Sequence, residues 1–275
     1  MLQRLRQAGL IWPTLAALAG LAVLIGLGTW QLDRKRWKDE LLAKIAERAH
    51  AEPISLLSLL DEAEASIRED VSARKGMFAV MASLEDIEYR HVFIRGRFHH
   101  DKEQFVYAPS AKGPGWHVYT PLQTAGDRWI VWINRGFVPY ANKPAATRPE
   151  GQVAGEVEVR GLVRFPIGKG LFTPQNDVQH NLWYWPDIAA MTAAAFPEGP
   201  QSASGRPAQP AVLRLVIEAN TQPEAPGGLP RGGVTRLDLP NRHLEYAVTW
   251  YGLALTLIGV YLAFAVNRLR ASRDD

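Results

Sequence analysis

In the hexapeptide Asn241-Arg242-His243-Leu244-Glu245-Tyr246, directly ahead of an uncharged stretch, the residue types conflict with their surroundings. If Asn241 caps a helix, Arg242 and His243 stand in its first turn, where the positive end of the helix dipole disfavours cations by about 0.3–1 kcal/mol each. That field favours neutral imidazole, the form that ligates iron or zinc, and makes Arg242 receptive to an anion such as a carboxylate. His243, Tyr246 and Trp250 recur at i, i+3 and i+7, one helical face, so an apolar ring ligated at His243 would meet aromatic side chains below its metal. This outlines a haem site with one axial ligand. A plainer reading fits the same residues: His243 bonds a headgroup phosphate or Glu245, and Arg242 is an interfacial anchor. No second histidine stands four residues away, so no four-ligand metal cage can be written.

Other chemistry is sparse. Gly168-Lys169-Gly170 lacks the strand, spacing and following Ser or Thr of a phosphate cradle, and neither a G-x-S-x-G elbow nor an H-E-x-x-H pair occurs. His99 and His100 would point to opposite faces of a strand and read as surface residues, as do the single histidines His50, His91, His117 and His180. The Trp183-Tyr184-Trp185 cluster alternates as core and surface. No nucleophile stands beside a base, so a membrane-tethered enzyme is the weakest of the available readings. The 31 basic residues nearly balance the 28 acidic ones and form no stripe, which sets nucleic acid aside as a partner. The absence of cysteine excludes disulfides, thiolate metal sites and covalent haem attachment.

Two stretches position the hexapeptide. Nothing charged occurs between Arg6 and Asp33 or between Glu245 and Arg268, leaving 26 and 22 residues. Each is enough to cross a hydrocarbon core of about 30 Å as a helix. Membrane helices are therefore expected over 8–32 and 241–267, with a soluble domain over 33–240 and a short tail over 268–275. A cleaved signal is the rival for the first, with Ala17-Leu18-Ala19 as a cleavage-like site, but the run exceeds the roughly 7 to 15 residues of a signal core. With no targeting extension ahead of it, the segment favours a bacterial inner membrane.

Two crossings place the end of the first helix and the start of the second at one membrane face. Gln31 and Arg34 can then meet Glu245 or the ligand of Arg242; interfacial anchoring at a helix C-terminus is the alternative. Ala16 with Gly20, Ala22 with Gly26, Gly252 with Thr256 and Gly259 with Ala263 are small residues four apart, a spacing that permits close helix contact. Flanking charge is divided: Arg4 and Arg6 stand against Arg34, Lys35, Arg36 and Lys38, while Arg268, Arg270 and Arg273 favour cytoplasmic termini.

Between the helices, Lys38–His50 has a helical pattern, Pro53 interrupts it, and Ser55–Asp70 reads as a second amphipathic helix. From Tyr89 the grammar turns to strands: Val92 with Ile94, Gln104–Ala108, Trp116–Leu122, Arg128–Asn134, Val157–Arg164 and Val212–Ala219. Asp187–Ala195 reads as a short helix, and Gly199–Pro210 and Gln222–Gly233 as loops. At the end of one strand Gly136 is placed to take positive φ, and Arg135 to pair with an acid of the core or of a partner. The fold class is a membrane α+β protein: two transmembrane helices flanking a β-rich domain, a sandwich or a barrel-like sheet.

The chain resembles the Surfeit-locus cytochrome c oxidase assembly proteins. The resemblance is carried by Gly28-Thr29-Trp30-Gln31-Leu32 with Arg34 and Trp37-Lys38, by Gly96-x-Phe98, Thr120-Pro121-Leu122 and Asn134-Arg135-Gly136-Phe137-Val138-Pro139. It continues through Gly161-Leu162-Val163-Arg164, Phe172–Asn176, Trp183-Tyr184 and Asn241-x-His243-x-x-Tyr246-x-x-Thr249-Trp250-Tyr251. The family commonly has Trp where Phe137 stands, and the Pro53–Glu88 region is longer or more divergent than is usual in it. The resemblance implies a non-enzymatic assembly factor for haem-copper oxidase, with the middle domain periplasmic and both termini cytoplasmic. It further implies haem a as cofactor, with His243 as ligand, and oxidase subunits, above all the haem-bearing one, as partners beside membrane lipid. A haem-free scaffold that binds oxidase subunits is the alternative. The cofactor-binding set is then His243, Arg242, Tyr246, Trp250, Gln31 and Arg34.

Overall fold

A computed structural model describes residues 9–62, 65, 87–110, 113–200, 210–235, 237 and 241–274. In chain order the elements are α1 (Ile11–His50), β1 (Ile54–Ser55), β2 (His91–Phe98), β3 (Gln104–Ser110), β4 (Gly113–Thr124), β5 (Trp129–Pro139), β6 (Glu156–Arg164), α2 (Ile188–Ala195), β7 (Ala211–Ala219) and α3 (His243–Asp274). The chain divides into two compact units, Met1–Ile45 with Leu237–Asp275, and Ala46–Arg236.

The first unit is a pair of antiparallel helices. Both α1 and α3 are long and apolar enough to cross a membrane, and their outward residues, among them Trp12, Val23, Leu255 and Val260, are exposed. The two helices expected at 8–32 and 38–50 are one. No Gly or Pro lies between Leu32 and Lys38, and ion pairs of Lys35 with Asp39 (2.5 Å) and of Arg36 with Asp33 (3.4 Å) support the turns beyond the apolar stretch. A change of solvent is not a helix stop. After His50 the helix ends, two residues before Glu52-Pro53. The helix expected over Ser55–Asp70 is present at 56–62; its remainder, like most of the Gly199–Pro210 loop, lies outside the described residues.

The second unit is a closed five-stranded barrel. Its strands run β2-β6-β7-β5-β4, and β2 pairs back onto β4 over Gly96–Phe98 against Leu122–Thr124. β5 and β7 are parallel and the other barrel pairs antiparallel; β3 extends β4, and the short β1 adds to β2. Alternation explains the interior: Val92 and Ile94 of β2, Val131 and Ile133 of β5, Val163 of β6, and Leu215 and Ile217 of β7 point inward, with Leu56, Leu59 and Ile87 beside them. The seam needs Gly96, because a Cβ there would stand 2.1 Å from the carbonyl oxygen of Gln123.

Outside the barrel, α2 covers Trp132, Val216 and Tyr119 with Ile188, Met191 and Ala195. Its N-terminus is capped by Asp187, whose Oδ1 accepts from the Ala190 N–H at 3.1 Å. Trp183 is fully buried in the same cluster, while Tyr184 and Trp185 are half-buried. Phe105, Trp116, Val118 and Val138 form a third cluster across β3, β4 and β5.

Candidate functional site

Of the polar residues expected at one membrane face, Gln31 and His243 meet between α1 and α3. Close approach begins at Gly28, which is buried with the Tyr251 ring directly over it; a Cβ there would lie 2.9 Å from two ring carbons. The Tyr251 hydroxyl lies 3.1 Å from Thr29 Oγ1. Lower down, Gly20 faces Leu257 and Thr14 hydrogen-bonds Tyr261. Of the small residues that suggested pairing, Gly20 takes part, whereas Gly26, Gly252 and Gly259 face open space. The helices therefore pair through an aromatic ring seated on glycine.

Less than one turn beyond Gly28, Gln31 Oε1 lies 2.7 Å from His243 Nδ1. With the amide oxygen towards the ring, Nδ1 carries the proton and donates, so Nε2 keeps its lone pair. Nε2 has no hydrogen-bond partner among the described residues. A histidine whose second nitrogen is tied to an oxygen acceptor in this way has a fixed tautomer and ring orientation, the arrangement of metal-bound imidazoles. His243 is half-buried, and so is Trp250 on the same side of α3; Tyr246 is exposed.

Two of the expected contacts are replaced by others. Arg242 pairs within its own helix, Nε donating to Glu245 Oε2 at 3.1 Å, and Arg34 stacks on Trp37 with its guanidinium 4.4 Å from the ring centroid. Neither meets Gln31 or His243. Both partners of the Arg242 pair are about two-thirds exposed or more, so the pair is weak and its guanidinium exchanges readily for another anion. Asn241 does not start the helix. α3 begins at His243, and the Asn241 amide instead donates to Asp39 Oδ1 at 2.7 Å. Its own Oδ1 is buried without a hydrogen bond. Asp39 was missed in the sequence, although Gln31, Lys35 and Asp39 recur at i, i+4 and i+8 on one face.

These residues fit a haem in part. They offer one imidazole held by Gln31, an aromatic side at Tyr246 and Trp250, and a loosely held cation at Arg242. Among the described residues no three His, Asp or Glu side chains lie close enough to hold a bare metal ion.

The domain holds a second polar constellation that the sequence did not show. Glu103, 6% exposed, accepts from Arg135 Nη1 (3.2 Å), from Arg148 Nη1 (3.2 Å) and Nη2 (2.5 Å), and from Thr120 Oγ1 (3.3 Å). Burial opposes ionisation of Glu103, but hydrogen bonds on the His100 and Arg148 sides and the charges of Arg148 and Arg135 outweigh it and hold the carboxyl at about 2. The guanidinium groups carry most of this, since His100 Nδ1 stands 3.6 Å away and faces Arg135. Arg135 thus pairs with an acid of its own core. His100 is no surface residue: its Nε2 lies 2.9 Å from Val153 O, and His99 Nε2 lies 2.7 Å from Gln123 Oε1. At the end of β5, Gly136 has φ +114, where a Cβ would fall 1.8 Å from Arg231 O. The cluster ties β3, β5 and the loop after β5 together, a structural role.

The amino-acid sequence matches known proteins over most of its length. Residues 18–255 match the model of the SURF1 family. The mouse (Mus musculus) Surfeit locus protein 1 is 35% identical over 247 residues, 84% of this chain and 69% of that protein. A SURF1-like protein of Monosiga brevicollis is 32% identical over 268 residues, 94% of this chain and 88% of its own length. Surfeit locus protein 1 of Takifugu rubripes is 32% identical over 265 residues, covering 90% and 95%. With two membrane-capable helices that flank the barrel in the chain and a family match over residues 18–255, this chain belongs to the SURF1 family.

Proposed function

We propose that this chain is a non-enzymatic, membrane-anchored assembly factor for haem-copper cytochrome c oxidase that holds haem a for the haem-bearing subunit. In this reading α1 and α3 both cross a bacterial inner membrane, the barrel is periplasmic and the termini are cytoplasmic. Arg268, Arg270 and Arg273 beyond the second crossing agree with that orientation. The observation that supports the reading is the 2.7 Å contact of His243 Nδ1 with Gln31 Oε1, which leaves Nε2 without a hydrogen-bond partner among the described residues.

His243 Nε2 would be the axial ligand, Tyr246 and Trp250 would line the macrocycle, and Arg242, released from Glu245, would meet a carboxylate of the ligand. Gln31 would hold the imidazole in place. Arg34, stacked on Trp37, would act as a more distant charge at the same face. The porphyrin iron supplies the redox-active centre when bound; the protein supplies the ligand, its tautomer and an apolar wall.

The test is haem content. Wild-type chain produced with haem a biosynthesis should purify with a haem spectrum, and His243→Ala should lose occupancy or change the spectrum. Equal occupancy and an unchanged spectrum in the variant would remove the ligand assignment. Haem-free protein that fully restores oxidase assembly would favour the scaffold reading.

A further inference from the structure

The loop after β6 is a finger with a fixed base and a bare apolar tip. At the base, Asn176 Oδ1 accepts from the N–H of Tyr184 at 2.8 Å, and Asn176 Nδ2 donates to the carbonyl of Trp185 at 3.2 Å. Asp177 and Leu182 exchange backbone hydrogen bonds of 2.8 and 3.0 Å. At the tip, the Thr173 N–H donates to the Gly170 carbonyl at 3.1 Å, closing a turn that carries Leu171 and Phe172. These two are 95% and 96% exposed, and Ile167 is 77% exposed. Single exposed hydrophobes are ordinary; three large ones within six residues, on a loop anchored at its base, mark a surface built to be covered.

The charge carried by the loop segment itself has one sign. From Val159 to Asn176 there is no Asp or Glu, while Arg160, Arg164 and Lys169 are basic. Arg160 and Arg164 are paired with Glu158 (2.8 Å) and Glu88 (3.2 Å), so Lys169, exposed between Gly168 and Gly170, is the charge the tip presents.

We propose that this tip inserts into the lipid interface of the membrane that anchors the chain, Leu171 and Phe172 entering the acyl boundary and Lys169 meeting anionic headgroup phosphate. Apolar side chains on an acid-free, basic turn match the composition of interfacial lipid contacts. A neutral apolar groove on another protein would accept the same two side chains, but it gives no reason for the lysine beside them, whereas headgroup phosphate does. Because the chain is already anchored, insertion is intramolecular, and two apolar side chains suffice where a free domain would need more. The inference rests on membrane anchoring alone and is independent of haem.

The chain has no cysteine, so single labels are unambiguous. Phe172→Cys and Leu171→Cys, each carrying an environment-sensitive fluorophore, are compared with Ala146→Cys on another exposed loop. The full chain is reconstituted in vesicles of phosphatidylethanolamine and phosphatidylglycerol. Labels at 171 and 172 should emit at shorter wavelength than the label at 146 and be quenched by doxyl-labelled lipid. Lys169→Glu should weaken that quenching in anionic vesicles and leave it unchanged in zwitterionic ones. Labels at 171 and 172 that stay in water, unquenched, overturn the proposal, and they do so equally if those labels become shielded only when an oxidase subunit is added.

Discussion

Replacing Glu103 with glutamine tests how the barrel domain is held together. The side chains of its partners Arg135 and Arg148 are 7% and 1% exposed, so the near-isosteric amide leaves two guanidinium groups buried beside a neutral group. Breaking a buried pair from one side costs about 3–5 kcal/mol. The carboxyl itself gives a second figure: held at about 2 against an ordinary 4.5, it differs by about 2.5 pH units, worth about 3 kcal/mol at about 1.36 kcal/mol each. Arg135 points the other way. Burial lowers it to about 10, attraction to Glu103 offsets this only in part, and Arg148 adds repulsion. Glu103 is the better guide to the mutation, because a guanidinium stays charged wherever the fold survives. The opposite shift of Arg135 reflects what burying the whole cluster costs, so an apolar replacement of all members would be far milder than removal of the carboxylate.

The sign of the pH dependence follows. A carboxyl that titrates lower in the folded state than in the unfolded one contributes fully above pH 4.5 and loses that contribution as pH falls from 4.5 towards 2. Urea unfolding of the full chain in detergent, followed by the fluorescence of buried Trp132 and Trp183, should show Glu103→Gln less stable by about 3–5 kcal/mol near neutral pH. Wild type should lose about 3 kcal/mol across the acid window, a loss absent from the variant. A variant within about 1 kcal/mol of wild type, as for a surface pair, with the same acid profile, would refute the reasoning.

Three further outcomes follow from the geometry. Gly28→Val should push Tyr251 off α1 and abolish cross-linking of Gln31→Cys to His243→Cys by a short bifunctional thiol reagent, while Gly26→Val, where a Cβ meets nothing within 4 Å, should leave it intact. Gly136→Ala should destabilise the barrel by about 1–3 kcal/mol or more, because alanine is strained at φ +114 and its Cβ collides with Arg231 O; an unchanged urea midpoint would contradict this. On the proposed haem-holding role, Gln31→Ala should weaken haem binding about 10- to 100-fold by freeing the Nδ1–H of His243, and titration giving wild-type affinity would deny Gln31 its orienting role.

Strands were legible where one face is buried: Val92 and Ile94 of β2 alternate with more exposed neighbours because the barrel has an inside. Barrel and sandwich were not separable, because closure depends on a seam of only three residue pairs between β2 and β4, and three pairs leave no periodicity to read. The continuity of α1 was hidden by the change from apolar to charged residues at Asp33, which marks a solvent boundary and leaves the backbone untouched. At the site, His243 and Gln31 were both legible as polar residues beside apolar runs, but their partners were not. Asn241 has the composition of a cap, and only tertiary contact with Asp39 redirects it. Glu103 gave no local signal at all, since its partners lie 32 and 45 residues further along the chain.

β7 lies between β6 and β5 although it is the last strand to be made. Until Ala211–Ala219 has emerged from the ribosome, β5 and β6 each present an unsatisfied edge and the hydrophobic interior stands open. A chain that stops short of Ala219 therefore does not yield a smaller stable domain but a splayed sheet with two sticky margins, prone to aggregation and degradation. By the same logic, termination before Ala219 should abolish the protein and not merely detach its second anchor, whereas termination between β7 and α3 leaves every strand of the barrel in place.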